Sequence, residues 1–331
     1  MTLFQHDTNI MNTTKRKILY ITGAGRSGST LLEYLLGQNS GWINVGEVCS
    51  IWARFNSGEL CGCGKPLAKC EFWGEVMQQT FGKAEVPDYF RLLGLAWSVS
   101  ANRYIIQIHF PQYFRGFQKR LREYGEILTS LYDAIQKISG ANIIVDSSKY
   151  PPYGLVLSRS LMDFDIYFLH LIRDSRGVAY SWQRKKARPD APSQPFMPQK
   201  SIFQSSREYL LSNSFAQFLQ MTSSHYLRIK YENFVKYPDF LLEEIYSFSG
   251  YPEDKAAGAV YENMKTNSRH TIAGNPVKFQ LHKSTIKLDS EWQVSMPWHD
   301  KFLVSTLTLP LLLLYQYPLI WRRIYSGTEP F

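Results

Sequence analysis

Residues 17–32 read Lys-Ile-Leu-Tyr-Ile-Thr-Gly-Ala-Gly-Arg-Ser-Gly-Ser-Thr-Leu-Leu, and the reading of this stretch decides the fold. Residues 17–22 are a short apolar run rich in β-branched side chains, the pattern of a buried strand. A glycine-rich turn follows directly. Over residues 30–36 the apolar side chains Leu31, Leu32, Leu35 and Leu36 fall at helical spacing, and Gly37 stands where a helix stops. A strand, a glycine loop and a helix in immediate succession bring the backbone N–H groups of residues 23–30 and the helix N-terminus to one place, where they can cradle an anion. Gly23 and Gly28 have the four intervening residues of the nucleoside-triphosphatase loop. Position 29 is Ser, however, where those proteins have the lysine that reaches the β- and γ-phosphates, so a triphosphatase is disfavoured.

Outward from this unit, a second strand is expected at residues 42–45, ending at Gly46-Glu47, because the run is apolar and bounded by glycines. Residues 49–140 read as mostly helical after an irregular Cys-Gly-rich start, with the strongest helix at 114–138; the block has the character of a cap inserted between strands. Strands are expected again at 142–145, 166–172 and 226–231, with helical stretches between them. That alternation predicts an α/β fold, a central parallel sheet with flanking helices. Residues 184–200, rich in Lys, Arg, Pro and Gln, read as a mobile loop. At 331 residues one core suffices, giving a flexible tail at 1–14 and one domain over 15–331 that carries the cap 49–140.

The stretch Gly25-Arg26-Ser27-Gly28-Ser29-Thr30-Leu31-Leu32 resembles the loop of sulfotransferases that use 3′-phosphoadenosine-5′-phosphosulfate (PAPS). The closest pattern is that of the branch with tyrosylprotein, carbohydrate and many bacterial enzymes, where a glycine precedes Arg-Ser-Gly-Ser/Thr-Thr-Leu-Leu. The resemblance implies that Gly25, Arg26, Ser27, Gly28, Ser29 and Thr30 grip the 5′-phosphosulfate, with Arg26 beside the bridging oxygen. Charge grows on the phosphate as sulfur departs, and a fixed guanidinium there stabilises the transition state more than the ground state. A second motif should then hold the 3′-phosphate. Arg173, after a predicted strand, and Ser181, eight residues later, are similar to the family's pair for that phosphate. Tyr231-Glu-Asn-Phe234 resembles the segment whose Tyr packs near the adenine. Gly274-Asn275-Pro276, followed by Lys278, resembles a late family segment in which Arg is usual at the last position; Lys lacks its bidentate geometry.

An acceptor hydroxyl must lose its proton as it attacks sulfur, which calls for a base within hydrogen-bond reach. Glu47 is the candidate, since Gly46-Glu47 matches the placement of the base in the tyrosylprotein branch and lies at a strand end. His109-Phe-Pro looks like the His-Leu-Pro of the small-molecule enzymes, but it lies too far before Arg173. Asp146-Ser-Ser-Lys149 resembles a bacterial motif whose lysine contacts the sulfuryl region, which makes Lys149 the second catalytic cation after Arg26. Cys61, Cys63 and Cys70 lie close together in a segment that resembles one of bacterial sulfotransferases. Zinc would need a fourth ligand, and only Cys49 or a distant His is on offer, so no metal is assigned. The transfer itself is expected to need no metal, because the sulfuryl group carries less negative charge than a phosphoryl group.

The net charge of +9 and pI of about 9.2 favour anionic partners. Two rivals remain: a kinase-like phosphotransferase on the same loop, which the missing lysine opposes, and a basic nucleic-acid-binding protein, for which no recognised motif is present. The polar N-terminus lacks the features of a signal peptide, so a cytoplasmic location is expected. The apolar run 302–321 is interrupted by Pro310 and Pro318 and reads as a helix packed on the core rather than a membrane span, while contact with a membrane surface is compatible with it. The acceptor stays open among a glycan, a lipid, a peptide tyrosine and a small phenol or alcohol. The cap and the loop 184–200 are expected to line its site.

Overall fold

Five strands form the sheet: β1 (Arg16–Thr22), β2 (Trp42–Gly46), β3 (Ile143–Lys149), β4 (Phe164–Ile172) and β5 (Tyr226–Lys230). All neighbours pair in parallel, in the order β2-β3-β1-β4-β5, so the strand before the glycine loop is the central one. The structure is a computed structural model and describes residues 16–83, 87–191, 195–251, 270–276 and 286–319. The expected tail at 1–14 and Lys278 lie outside those residues.

Parallel pairing requires a crossover after each strand. Helix α1 (Ser29–Leu36) serves β1. Between β2 and β3 come α2 (Ile51–Ser57), α3 (Glu71–Phe81), α4 (Tyr89–Ser100), α5 (Ile105–His109) and α6 (Arg115–Ser139). Helix α7 (Pro151–Ser160) leads to β4, and α8 (Ser175–Gln183) with α9 (Ile202–Thr222) leads to β5. Then follow α10 (Tyr231–Lys236), α11 (Pro238–Phe248), α12 (Trp292–Ser295), α13 (Trp298–Leu307) and α14 (Leu309–Leu314).

Successive side chains of a strand face opposite ways. Ile18 and Tyr20 of β1 join Ile144 and Phe168 under Trp52, Trp73, Leu128 and Val156 of the helices on one face. Leu19 and Ile21 join Val145 and Leu171 under Leu32, Leu36, Phe234 and Ile245 on the other. Burial on both faces explains why these strands read as continuous apolar runs. Helix α6 is the amphipathic element the sequence anticipated: Phe117, Leu121, Tyr124, Leu128, Leu131 and Ile135 are buried at spacings of three and four, and Gly140 ends it at φ +65°.

Two elements depart from the sequence reading. Strand β3 runs on through Asp146-Ser-Ser to Lys149, because the buried polar groups are satisfied: Tyr132 and Ser148 donate to Asp146, and Ser147 donates to Glu33. The expected C-terminal helix is two, α13 and α14, since Pro310 cannot supply the N–H that a continuous helix needs. Leu311, Leu312 and Tyr315 of this end pack with Ala24, Ile172 and Val178, directly behind the glycine loop. Among the described residues no helix is long and apolar enough to cross a membrane.

Residues 270–276 run beside the free edge of β2. Ile272 donates to the Val45 carbonyl at 2.9 Å, and Glu47 donates to the Ile272 carbonyl at 2.9 Å. Only glycine fits at position 46: its φ is +78°, and a Cβ would come within 2.2 Å of the Ile272 carbonyl oxygen.

Candidate active site

A parallel sheet puts all its strand C-termini on one edge, and each of the five delivers a residue singled out in the sequence. The turn after β1 presents Gly25, Arg26, Gly28, Ser29 and Thr30; β2 leads to Glu47 and β3 ends at Lys149; β4 leads to Arg173, with Ser181 on α8; β5 leads to Tyr231. These side chains and backbones line one cleft of about 580 Å³. Ser27 does not line it: its side chain is buried, with 1% exposed. The cleft opens where the chain leaves β1 toward β2 on one side and β4 toward β5 on the other, the position at which open α/β sheets bind ligands.

The loop is held in a conformation that few sequences tolerate. Gly23, Arg26 and Gly28 all have positive φ, at +122°, +69° and +93°. A Cβ on Gly28 would meet the Tyr231 ring at 2.5 Å, so Tyr231 packs closely against the loop where α1 begins. Arg173 spans the gap between the two motifs: its Nη1 donates to the Arg26 carbonyl at 3.0 Å, and its guanidinium lies 4.5 Å over the Tyr231 ring. On its far side it pairs with the Asp289 carboxylate at 3.2 Å and donates to the Asp289 carbonyl. Those contacts fix the guanidinium in place.

Arg26 stacks 4.6 Å over Trp182, and its Nε and Nη2 have no hydrogen-bond partner among the described residues. Burial lowers its guanidinium to about 10, against the opposing pull of the Glu47 charge and with Arg184 and Arg188 adding repulsion. Uncommitted, half-desolvated donors in a cleft are what an anion needs. Lys149 also sits in the left-handed region, at φ +66°, and its Nζ donates to Glu47 Oε1 at 2.6 Å and to the Ser147 carbonyl at 2.7 Å. Acid and cation are thus in direct contact beside the loop. Asn275 donates its backbone N–H to Thr30 Oγ1 at 3.2 Å, bringing the late Gly-Asn-Pro segment to the cleft.

Some residues here escaped the sequence reading. Lys186, from the 184–200 loop, lines the cleft, and its ammonium is pushed down to about 8 by burial and by the charges of Arg184 and Arg26. Arg54 and Arg188 also line it, both tied to Glu59. A basic loop hinted at the first and third; nothing in the sequence marked Asp289. Asp146, quoted for its motif, is fully buried and accepts from Ser148, whose Oγ in turn accepts from the Cys49 amide at 3.0 Å next to Glu47. His109 pairs with Arg159 and does not line the cleft. Of the two fourth ligands open to the clustered cysteines, Cys49 or a distant histidine, it is a histidine that stands beside them. His270, 200 residues from Cys70 in sequence, stands with its Nδ1 3.2 Å from the Cys70 sulfur.

A protein-family model described as the sulfotransferase family matches residues 19–255. Among solved structures, the chain is similar to the sulfotransferase domain of the olefin synthase from Synechococcus PCC 7002, with a TM-score of 0.53 and 20% identity over 93% of this chain and 97% of that one. It is also similar to the sulfotransferase domain from the curacin biosynthetic pathway, with a TM-score of 0.51 and 17% identity over 92% and 99% of the two chains. At these identities the likeness is one of fold. Comparison with curated proteins returns no match. With the family match spanning most of the sheet and both motifs of the cleft, the chain belongs to the sulfotransferase family.

Proposed function

We propose that this sulfotransferase takes its sulfuryl group from PAPS and passes it to an acceptor hydroxyl or amine, releasing adenosine 3′,5′-bisphosphate. The observation that carries the reading is the meeting of Arg26, with two uncommitted donor nitrogens, and Arg173 in one cleft at the N-terminus of α1. One site of anion recognition then faces the phosphosulfate and the other the 3′-phosphate. The loop from Gly25 to Thr30 binds the phosphosulfate through backbone N–H groups and the Ser29 and Thr30 hydroxyls. Arg173 with Ser181 binds the 3′-phosphate. Tyr231 keeps Arg173 and Gly28 in register and borders the adenine.

In the transfer, the acceptor oxygen forms a bond to sulfur while the bond from sulfur to the bridging oxygen breaks, and the electron pair of that bond stays on the departing phosphate. Glu47 receives the acceptor proton. Arg26 and Lys149 stabilise the charge on the sulfuryl oxygens and the leaving phosphate, a preorganised contribution in a partly desolvated site. No metal takes part in this scheme. Arg54, Tyr150, Arg188, Met197 and Pro198, which also line the cleft, are left to face the acceptor.

Calorimetric titration with adenosine 3′,5′-bisphosphate, AMP and ATP tests the donor. The expected result is binding that depends on the 3′-phosphate and weakens at least about tenfold in Arg173→Ala, the scale of one lost charge-assisted contact. Equal affinity for AMP, or an Arg173→Ala protein with unchanged affinity, overturns the assignment.

A further inference from the structure

We propose that Cys61, Cys63, Cys70 and His270 bind a structural zinc ion that ties the segment between β2 and β3 to residues 270–276. The three sulfurs and one ring nitrogen all lie within 4.8 Å of one another. A tetrahedral site with Zn–S bonds of about 2.3 Å has ligand–ligand edges of about 3.8 Å. Here Cys63 and Cys70 are 3.7 Å apart, Cys61 and His270 3.9 Å, and Cys70 and His270 3.2 Å. The four donors therefore need only to tighten around an ion.

The surroundings are those of a built site. Cys61 begins a tight knuckle in which its N–H donates to the Lys65 carbonyl and its own carbonyl accepts from Gly64, at φ +84°. Cys70 is the N-cap of α3, where the helix dipole favours a thiolate. Both Cys61 and Cys70 are buried. His270 is held at ring and backbone: Phe72 stacks on its ring at 4.9 Å, and Trp73 donates its indole N–H to the His270 carbonyl at 2.7 Å. Three thiolates and one imidazole leave no open coordination position, which assigns the ion a structural role.

The role follows from what the cluster joins. Gly62, inside the knuckle, donates to the Thr271 carbonyl at 3.0 Å. Ile272 then pairs with β2 at Gly46, and Asn275 reaches Thr30 in the glycine loop. An ion at the cluster thus anchors one end of a short strap whose other end touches the cleft. The proposal does not depend on the identity of the sulfuryl donor, because the cleft lies outside the cluster.

The test is metal analysis of the full chain produced with zinc in the medium and purified without chelator. About one zinc per chain is expected, since the ligands are preorganised and ion binding contributes to folding. Cys63→Ser and His270→Ala should each retain less than about a tenth of it, the loss expected when one of four ligands is removed from a closed site. Cys49→Ser, altered at the cysteine outside the cluster, should keep its zinc. Should the ligand variants fail to fold, the wild-type chain refolded with cobalt decides: tetrahedral d–d bands with thiolate charge transfer support the site. A folded wild-type chain without stoichiometric zinc, zinc retained in both ligand variants, or a cobalt spectrum without thiolate bands overturns it.

Discussion

Glu47 and Arg26 carry separate roles in the proposed transfer, and single substitutions test each. Glu47 accepts a hydrogen bond from Lys149 beside the loop. Glu47→Gln keeps the size and a hydrogen-bonding group, and is expected to leave adenosine 3′,5′-bisphosphate affinity within about twofold while lowering kcat by about 10²–10⁴, the range of a lost general base. Arg26→Ala should lower kcat by about 10²–10³, as for a removed transition-state donor. Near-normal turnover in Glu47→Gln would place the base elsewhere. Lys186 adds a pH dependence whose sign is determined by its environment. Its ammonium is lowered to about 8 in the free cleft by burial and the nearby Arg charges, and a bound polyanion raises it. Below pH 8 the side chain is protonated with or without ligand, so affinity is flat. Above pH 8 binding takes up a proton, so affinity falls, by at most tenfold per pH unit as linkage requires. Titrations from pH 6.5 to 9.5 should show this fall in the wild type and a flatter profile in Lys186→Arg; identical profiles would remove Lys186 from the anion site.

At the scale of elements, the contact between β2 and residues 270–276 rests on Gly46. In Gly46→Ala the methyl group meets the strap's backbone, and the positive φ is strained as well. Gly58 provides the comparison, because its φ of +67° is similar but nothing lies within 4 Å of its Cβ position. Gly58→Ala is expected to cost about 1–2 kcal/mol, the left-handed penalty alone. Gly46→Ala should cost more than that and shift the strap, read as a larger fall in the denaturation midpoint at equal m-value. Equal losses in the two variants would mean that the strap yields freely. Most elements were legible before the structure because their periodicities are strong. The helix expected at 114–138 is α6 at 115–139, and the strand expected at 166–172 is β4 at 164–172. The polar end of β3 was not legible: Asp146, Ser147 and Ser148 have low strand propensity, and only partners from α6 and α1 make their burial tolerable.

Across the whole molecule, one principle of construction explains both the success and the gaps. A parallel sheet buried on both faces needs apolar strands and polar strand ends, so residues that follow apolar runs converge on one edge however far apart they lie in the chain. This is why Arg26, Glu47, Lys149, Arg173 and Tyr231, singled out by resemblance to sulfotransferase motifs, meet in one cleft. The order of those strands, the corner between Arg173 and Tyr231, and the Asp289 carboxylate against Arg173 carried no local signal. Cys61, Cys63 and Cys70 announced themselves by spacing, while His270 did not. By itself the sequence determined the strand-loop-helix unit and the parallel α/β class, because each rests on short-range periodicity and backbone conformation, while its resemblance to sulfotransferases supplied the residues proposed for the two anion motifs. Only the tertiary structure decided which side chains pair across the cleft and which histidine completes the cysteine cluster, since those contacts join segments distant in the chain and arise only when the sheet and its helices pack.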